Sequence, residues 1–442
     1  MIFKGFKNTV INLIKLSLPI LGGNLSHILI SLADSIIAGR YSTTALGAIS
    51  IATAIIMTAT IGAIGLIVAI TPVIANNRGA KIPSKKFFKL SILFSILISV
   101  PFFLLTKLLL YKINLFNLTP ELVQPILEYA KIAVWTIFPA SIFVAIKEFL
   151  QAYEKVIFAN VLAFLTVALN IVLNIILTFG FNFNGLNIPA MGVSGLALAT
   201  LLSRIFSAFA IIIYCFPLFK THFQFSKKYV LDLFKIGYPI SLAMFFEFLG
   251  FNLTAILIGQ FSAIYAAVHN IILAVANFSF MIFLSISSSA SIKVGYYNGK
   301  GDKTGIIRNS IASLTLILLV ATISFIVIGC FKNQIIALFS SDKEVLYWGR
   351  KTIKFALCFL FFDAVQCGCT GILKGLKDTK IIMFTTFLAY LLIAIPFGCY
   401  FAFKRNIVLE GFWGGLALAL FAIAILTSIR VVLDIKKIKE KN

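Results

Sequence analysis

Three carboxylates stand where lipid would be their neighbour. Asp34 in "SLADSIIAGR", Glu247 in "MFFEFLGFN" and Asp363 in "FLFFDAVQC" each interrupt a long apolar run. A charge at the centre of a bilayer costs about 2.5–3.5 kcal/mol on insertion scales, so such residues are rare and usually face an interior cavity. A carboxylate taken out of water has to be compensated, by a proton, an alkali cation, an organic cation or a hydrogen-bond donor. Three acids at comparable depth therefore suggest the exchange of cations. The competing reading is three isolated side chains, each neutralised locally. It is strongest for Asp34, nearest a helix end and six residues from Arg40.

Further polar groups lie within the apolar segments. "ALNIVLN" sets Asn170 and Asn174 four residues apart and so on one helix face, and Thr200 follows in the next segment. Amide and hydroxyl oxygens beside a carboxylate suit a hard monovalent cation, as they suit hard divalent ones. The same groups serve as interhelical hydrogen-bond glue, which is the commoner use of such a pair taken alone. Arg204 either snorkels to the interface or pairs with an acid, and His269 in "YAAVHNI" reads as a helix-contact residue. Phenylalanines around Glu247 offer ring faces to flat cations.

Covalent chemistry finds no support. The chain has no nucleophile elbow and no H-E-x-x-H, and "GYYNGKGDK" lacks the spacing of a phosphate cradle. An enzyme and an ATP-driven pump are both disfavoured. Transport energy would come from an ion gradient, with no cofactor and no metal beyond a possible Na+ at the cation-binding residues. The six cysteines form neither a disulfide framework nor a metal pair and read as small packing residues.

The elements that must hold these groups follow from composition. Of 442 residues, 60% are hydrophobic and only 12% charged, against roughly 45–50% and about 25% in soluble chains. The class is an all-α polytopic membrane protein. Apolar runs of the length a bilayer demands give twelve spans, from 11–39 through 412–433. The first is a retained helix, since no small-residue cleavage site follows the basic start. The net charge of +23 collects around Arg78 to Lys89, Lys220 to Lys235, Lys293 to Arg308 and Lys374 to Lys380. Such clustering is the positive-inside signal, with contacts to anionic lipid headgroups rather than to nucleic acid. Both termini are placed in the cytoplasm, and the chain in the bacterial cytoplasmic (inner) membrane.

The chain is also written twice. An offset of 220 residues lays Pro19 on Pro239, Gly39 on Gly259 and Gly79 on Gly299. The same offset lays "SGLALAT" at 194–200 on "GGLALAL" at 414–420. The expected domains are an amino-terminal bundle over 1–218, a cytoplasmic linker over 219–235 and a carboxy-terminal bundle over 236–442. Six helices per half give both halves the same orientation, related by a pseudo-two-fold axis along the membrane normal.

Together these segments resemble the multidrug and toxic compound extrusion (MATE) family, in its bacterial NorM-like branch. The resemblance spans nearly the whole chain and rests on "LSLPI", "LADSIIAGR", "AMGVSGLALAT", "IGYPISLAMFFEF", "AAVHNI", "VGYYNGKGD" and "GILKGLKDTKIIM" in that order. It implies a cation-coupled antiporter, driven by H+ or Na+, that exports small organic cations by alternating access as a monomer in the lipid bilayer. It also implies an amino-terminal cation site at Asp34, Asn170, Asn174 and Thr200, a carboxy-terminal site at Glu247 and Asp363, and helix bending at Pro19. Asn76 and Tyr296 depart from the glutamines common in the family. The rival function is a flippase for lipid-linked oligosaccharide or peptidoglycan precursors, whose anionic cargo would ask for basic rather than acidic interior groups.

Overall fold

The computed structural model describes residues 5–113, 118–183 and 186–438, and among these described residues twelve helices are long and apolar enough to cross a membrane. They are α1 (Phe6–Tyr41), α2 (Thr43–Gly79), α3 (Ser84–Tyr111), α4 (Pro120–Ala152), α5 (Ile157–Phe179) and α6 (Gly192–Tyr214). The second half supplies α7 (Lys227–Gly259), α8 (Ala263–Lys300), α9 (Lys303–Cys330), α10 (Lys343–Leu376), α11 (Lys380–Lys404) and α12 (Leu409–Lys437). The chain is thus an all-α polytopic membrane protein. A small antiparallel hairpin, β1 (Phe181–Phe183) with β2 (Leu186–Ile188), lies between α5 and α6.

Most helices outrun the spans expected from hydropathy. The segment expected over 352–373 is part of a helix from Lys343 to Leu376, because hydropathy marks the hydrocarbon slab while the helix continues into the polar interface. The polar link expected over 219–235 is shorter for the same reason, since α7 already begins at Lys227. The sixth helix instead stops early, at Tyr214, and a short turn at Phe216–Phe219 restarts around Pro217.

The repeat is visible in local chemistry. Ser42 and Ser262, 220 residues apart, each cap the helix that follows. Ser42 Oγ accepts from the Ala45 amide at 2.9 Å, and Ser262 Oγ from the Ile264 amide at 3.1 Å. A serine at this position satisfies one of the amides left open by a helix start.

Two compact units emerge. Of the described residues, one contains those through Leu21, 72–82 and those from Tyr238 to Ile438; the other contains those within Gly22–Thr71 and Pro83–Gly237. The boundaries within α1 and α7 fall beside the repeat-equivalent Pro19 and Pro239. In the first unit the core is built on Trp413, Tyr390, Phe412 and Phe283. In the second, a core of small and branched residues from Ile37 to Ile56 packs around Tyr129 and Ile126.

Close backbone approach sets the packing. Lipid tails are as apolar as leucine, so helices in a bilayer are held by tight contact and hydrogen bonds rather than by hydrophobic burial. Along α8, Ser287, Ser291 and Gly295 recur every fourth residue and meet Gly371 and Gly375 of α10, where an added Cβ would strike backbone or side-chain atoms at 2.3–2.9 Å. Ser287 Oγ also donates to the Cys367 carbonyl at 2.6 Å. The repeat-equivalent Gly79 and Gly299 meet at one crossing of α2 with α8. A Cβ on Gly79 would lie 1.8 Å from the Tyr296 carbonyl, and one on Gly299 1.8 Å from that of Asn76. Asn76 itself donates to the Gly295 carbonyl at 3.3 Å, and Arg78 lies over the Tyr296 ring at 5.6 Å. The two departures from the family pattern therefore pack at this crossing.

Gly299→Ala should lower stability by about 1–3 kcal/mol through overpacking, whereas Gly259→Ala, with nothing within 4 Å of its added Cβ, should cost far less. Thermal unfolding of both variants in detergent measures the contrast.

Candidate cation-binding sites

In the unit holding Gly22–Thr71 and Pro83–Gly237, α1, α5 and α6 bring four expected residues together. Asn174 Nδ2 donates to Asp34 Oδ1 at 2.6 Å and to Asn170 Oδ1 at 3.1 Å. Asn170 Nδ2 donates in turn to Thr200 Oγ1 at 3.4 Å, and Thr200 donates to the Leu196 carbonyl at 3.1 Å. Both amide hydrogens of Asn174 are thus engaged, one of them on the carboxylate. Its own Oδ1 is buried and has no hydrogen-bond partner among the described residues, and neither has the Thr178 hydroxyl one turn further along α5.

Close packing brings α1 against α5. A Cβ on Gly23 would lie 1.9 Å from Asn160 Oδ1, and one on Gly22 would lie 2.8 Å from the Phe164 ring. Arg204 of α6 and Tyr129 of α4 lie within electrostatic range of Asp34. Of the two sequence readings of Arg204, the acid-facing one describes this position. Tyr129 and Thr178 were missed. Thr178 had a signal, lying four residues beyond Asn174, but Tyr129 had none because its helix precedes the motif.

The other unit brings Glu247 of α7 and Asp363 of α10 into each other's field. Asp363 is 3% exposed, Glu247 is half-buried, and Lys374 lies within electrostatic range of Glu247. Phe251 and Phe359, each one turn from an acid, pack with ring centroids 6.0 Å apart, and Tyr390 of α11 lies 5.5 Å from Phe251. Tyr390 feels both carboxylates. It stands in a π-helical stretch, Leu388–Ala394, just before Pro396. Proline withholds the amide that the carbonyl four residues back would use, so the backbone widens there. Nothing in the sequence of α11 marks Tyr390. A Cβ on Gly250 would lie 2.7 Å from its ring, so a glycine on α7 makes the room.

Pro19 lies inside α1, and Asp34 lies fifteen residues beyond it on the same helix. The first site gathers carboxylate, amide and hydroxyl oxygens, and the second two carboxylates beside the Tyr390 ring.

The MatE family signature matches this chain twice, over residues 19–176 and 239–400, and the two matches begin 220 residues apart. The chain belongs to the MatE family. A multidrug resistance protein NorM from Photobacterium profundum is 27% identical over 435 residues, covering 95% of this chain and 94% of its own. The protein of the same name from Vibrio cholerae is 27% identical over 442 residues, covering 96% of each. These similarities place this MatE protein in the bacterial NorM-like branch. The eukaryotic MATE transporter AtDTX14 superposes with a TM-score of 0.87 at 20% identity over 99% of both chains. A MOP superfamily transporter from Pyrococcus furiosus does so at 0.88 and 19% identity, over 98% of this chain and 97% of its own. Both structures share the fold. As a MatE member, the chain is a multi-pass secondary transporter and not an enzyme.

The Asn174–Asp34 contact can be weighed by a double-mutant cycle. Asn174→Ala should destabilise the purified protein by about 1.5–3 kcal/mol, the worth of a hydrogen bond to a charged group. With Asp34→Asn already in place, most of that cost should disappear.

Proposed function

We propose that this MatE protein is a cation-coupled antiporter that exports small organic cations and drugs across the bacterial cytoplasmic membrane by alternating access. It takes up H+ or Na+ in return and works as a monomer with both termini in the cytoplasm. The observation that carries the reading is the pairing of Glu247 with Asp363 inside one unit, beside an aromatic wall of Phe251, Phe359 and Tyr390. Two carboxylates in one low-dielectric site cannot both stay uncompensated. A proton, a sodium ion or an organic cation can supply the missing charge, so the coupling ion and the drug compete for one electrostatic vacancy. Each then biases the inward–outward equilibrium by its differential affinity for the two states.

Asp34, Asn170, Asn174 and Thr200 act on this reading as a second cation-responsive site. There the unpartnered Asn174 Oδ1 supplies an acceptor beside the carboxylate. Pro19 provides the bend by which α1 accommodates the two states, since a mid-helix proline leaves one carbonyl without its amide. A flippase for pyrophosphate-linked precursors would need uncommitted basic groups. Arg204 and Lys374 are instead each within range of an acid, Asp34 and Glu247.

Glu247→Gln and Asp363→Asn should each abolish efflux of ethidium-like cations from energised cells while membrane levels of the protein stay unchanged. Wild-type efflux from both variants would reject the assignment. Imposed pH and sodium gradients, applied separately to proteoliposomes, identify the coupling ion.

A further inference from the structure

A cavity of about 220 Å³ opens between α3 and α4, lined by Lys107, Leu110 and Tyr111 of one helix and Leu127, Lys131 and Val134 of the other. Both helices belong to the unit that holds Gly22–Thr71 and Pro83–Gly237. Their spacings put each trio on one helix face, at i, i+3 and i+4 along α3 and at i, i+4 and i+7 along α4. Leu110 and Val134 are buried and join the floor to the surrounding core. The cavity thus has an apolar base and two ammonium groups in its wall. It is smaller than the roughly 300–1,000 Å³ of a pocket for a drug-sized molecule.

That positive charge is uncompensated. Lys107 and Lys131 make no ion pair among the described residues. The described lining includes no carboxylate, and Glu128 of α4 instead accepts a hydrogen bond from Gln124 at 3.0 Å. The Lys107 ammonium is nonetheless held in place, 5.2 Å from the centre of the Phe103 ring and 5.4 Å from that of Trp135. The two rings pack 4.8 Å apart, with Phe138 5.2 Å from Phe103. Ring faces attract a cation without neutralising it, so the ammonium remains available to an anion.

The surroundings select which anion. Leu104, Val100 and Leu97 stand three, seven and ten residues before Lys107 on the same face of α3, and all three are exposed. Trp135 is 49% and Tyr111 80% exposed, and amphipathic rings of this kind settle at the level of lipid headgroups. An anion with hydrocarbon tails uses every one of these features, its phosphate at the lysines and its chains along the apolar ridge. A free phosphate has no use for the ridge, and a cationic drug is repelled by the lysines.

We propose that this groove binds one anionic phospholipid, whose phosphate is held by Lys107 and Lys131 and whose chains run down α3. With both termini in the cytoplasm, as proposed above, the connection from α3 to α4 lies at the outer face, opposite the basic clusters that set topology. Only the choice of leaflet rests on that reading.

The test uses the purified full-length protein and the fluorescence of Trp135. Of the three tryptophans, Trp413 is fully buried, so Trp348→Phe leaves Trp135 as the one that lipid reaches. Phosphatidylglycerol with brominated chains should quench it at a lower mole fraction than brominated phosphatidylcholine does. A lysine near an anionic headgroup contributes about fivefold in affinity, so Lys107→Gln/Lys131→Gln should raise the half-quenching fraction of phosphatidylglycerol by about 25-fold. Quenching by phosphatidylcholine should not change. Lys107→Arg/Lys131→Arg keeps both charges and should keep the preference, whereas a merely structural role for the lysines would not separate the two lipids. Equal quenching by the two lipids, or unchanged quenching in the double glutamine variant, would overturn the proposal. Displacement of the brominated lipid by millimolar inorganic phosphate would also overturn it, since the groove would then be a site for soluble anions. The leaflet is read separately in spheroplasts, where Lys112→Cys should react with a membrane-impermeant maleimide added outside, above the level of the native chain. Reaction only after lysis would reject the outer leaflet and the proposed topology while leaving the lipid site standing.

Discussion

Charge in a hydrocarbon slab has to be compensated, and the two units meet that demand in different ways. Around Asp34, compensation is largely built in. Asn174 donates to the carboxylate at 2.6 Å, a chain of amides and hydroxyls holds Asn174 in place, and Arg204 adds its field. Around Glu247 and Asp363, two carboxylates lie in each other's field, Lys374 lies within range of Glu247, and the rings of Phe251, Phe359 and Tyr390 pack beside them. The first carboxylate has a hydrogen-bond donor in contact with it, whereas the second pair is offset by the field of Lys374 across a greater depth of apolar packing.

Holding two carboxylates in range of each other requires helices that cannot drift apart. In lipid there is little hydrophobic gain from bringing helices together, so the contact has to come from shape. The ladder of Ser287, Ser291 and Gly295 against Gly371 and Gly375 seats α10, and with it Asp363, on α8. On the other side, Gly250 gives way to Tyr390, whose position depends on the widened turns before Pro396. Glycine, serine and proline thus carry much of the geometry.

Sequence alone determined that this chain crosses a membrane twelve times, that it is a duplication, and that its rare intramembrane acids are the residues to watch. It could do so because hydropathy, the 220-residue offset and helical spacing such as Asn170 to Asn174 are written along the chain itself, mostly within a few turns. Only the tertiary structure decided which distant residues share a site. Tyr129, Arg204 and Tyr390 belong to helices whose own patterns do not name their partners, because interhelical register is set by backbone approach at glycines scattered over the whole sequence. Helix ends also escaped the sequence, since a helix that has left the hydrocarbon loses the apolar signal while keeping its hydrogen bonds. Identity of the charged groups was local information, and their mutual compensation was not.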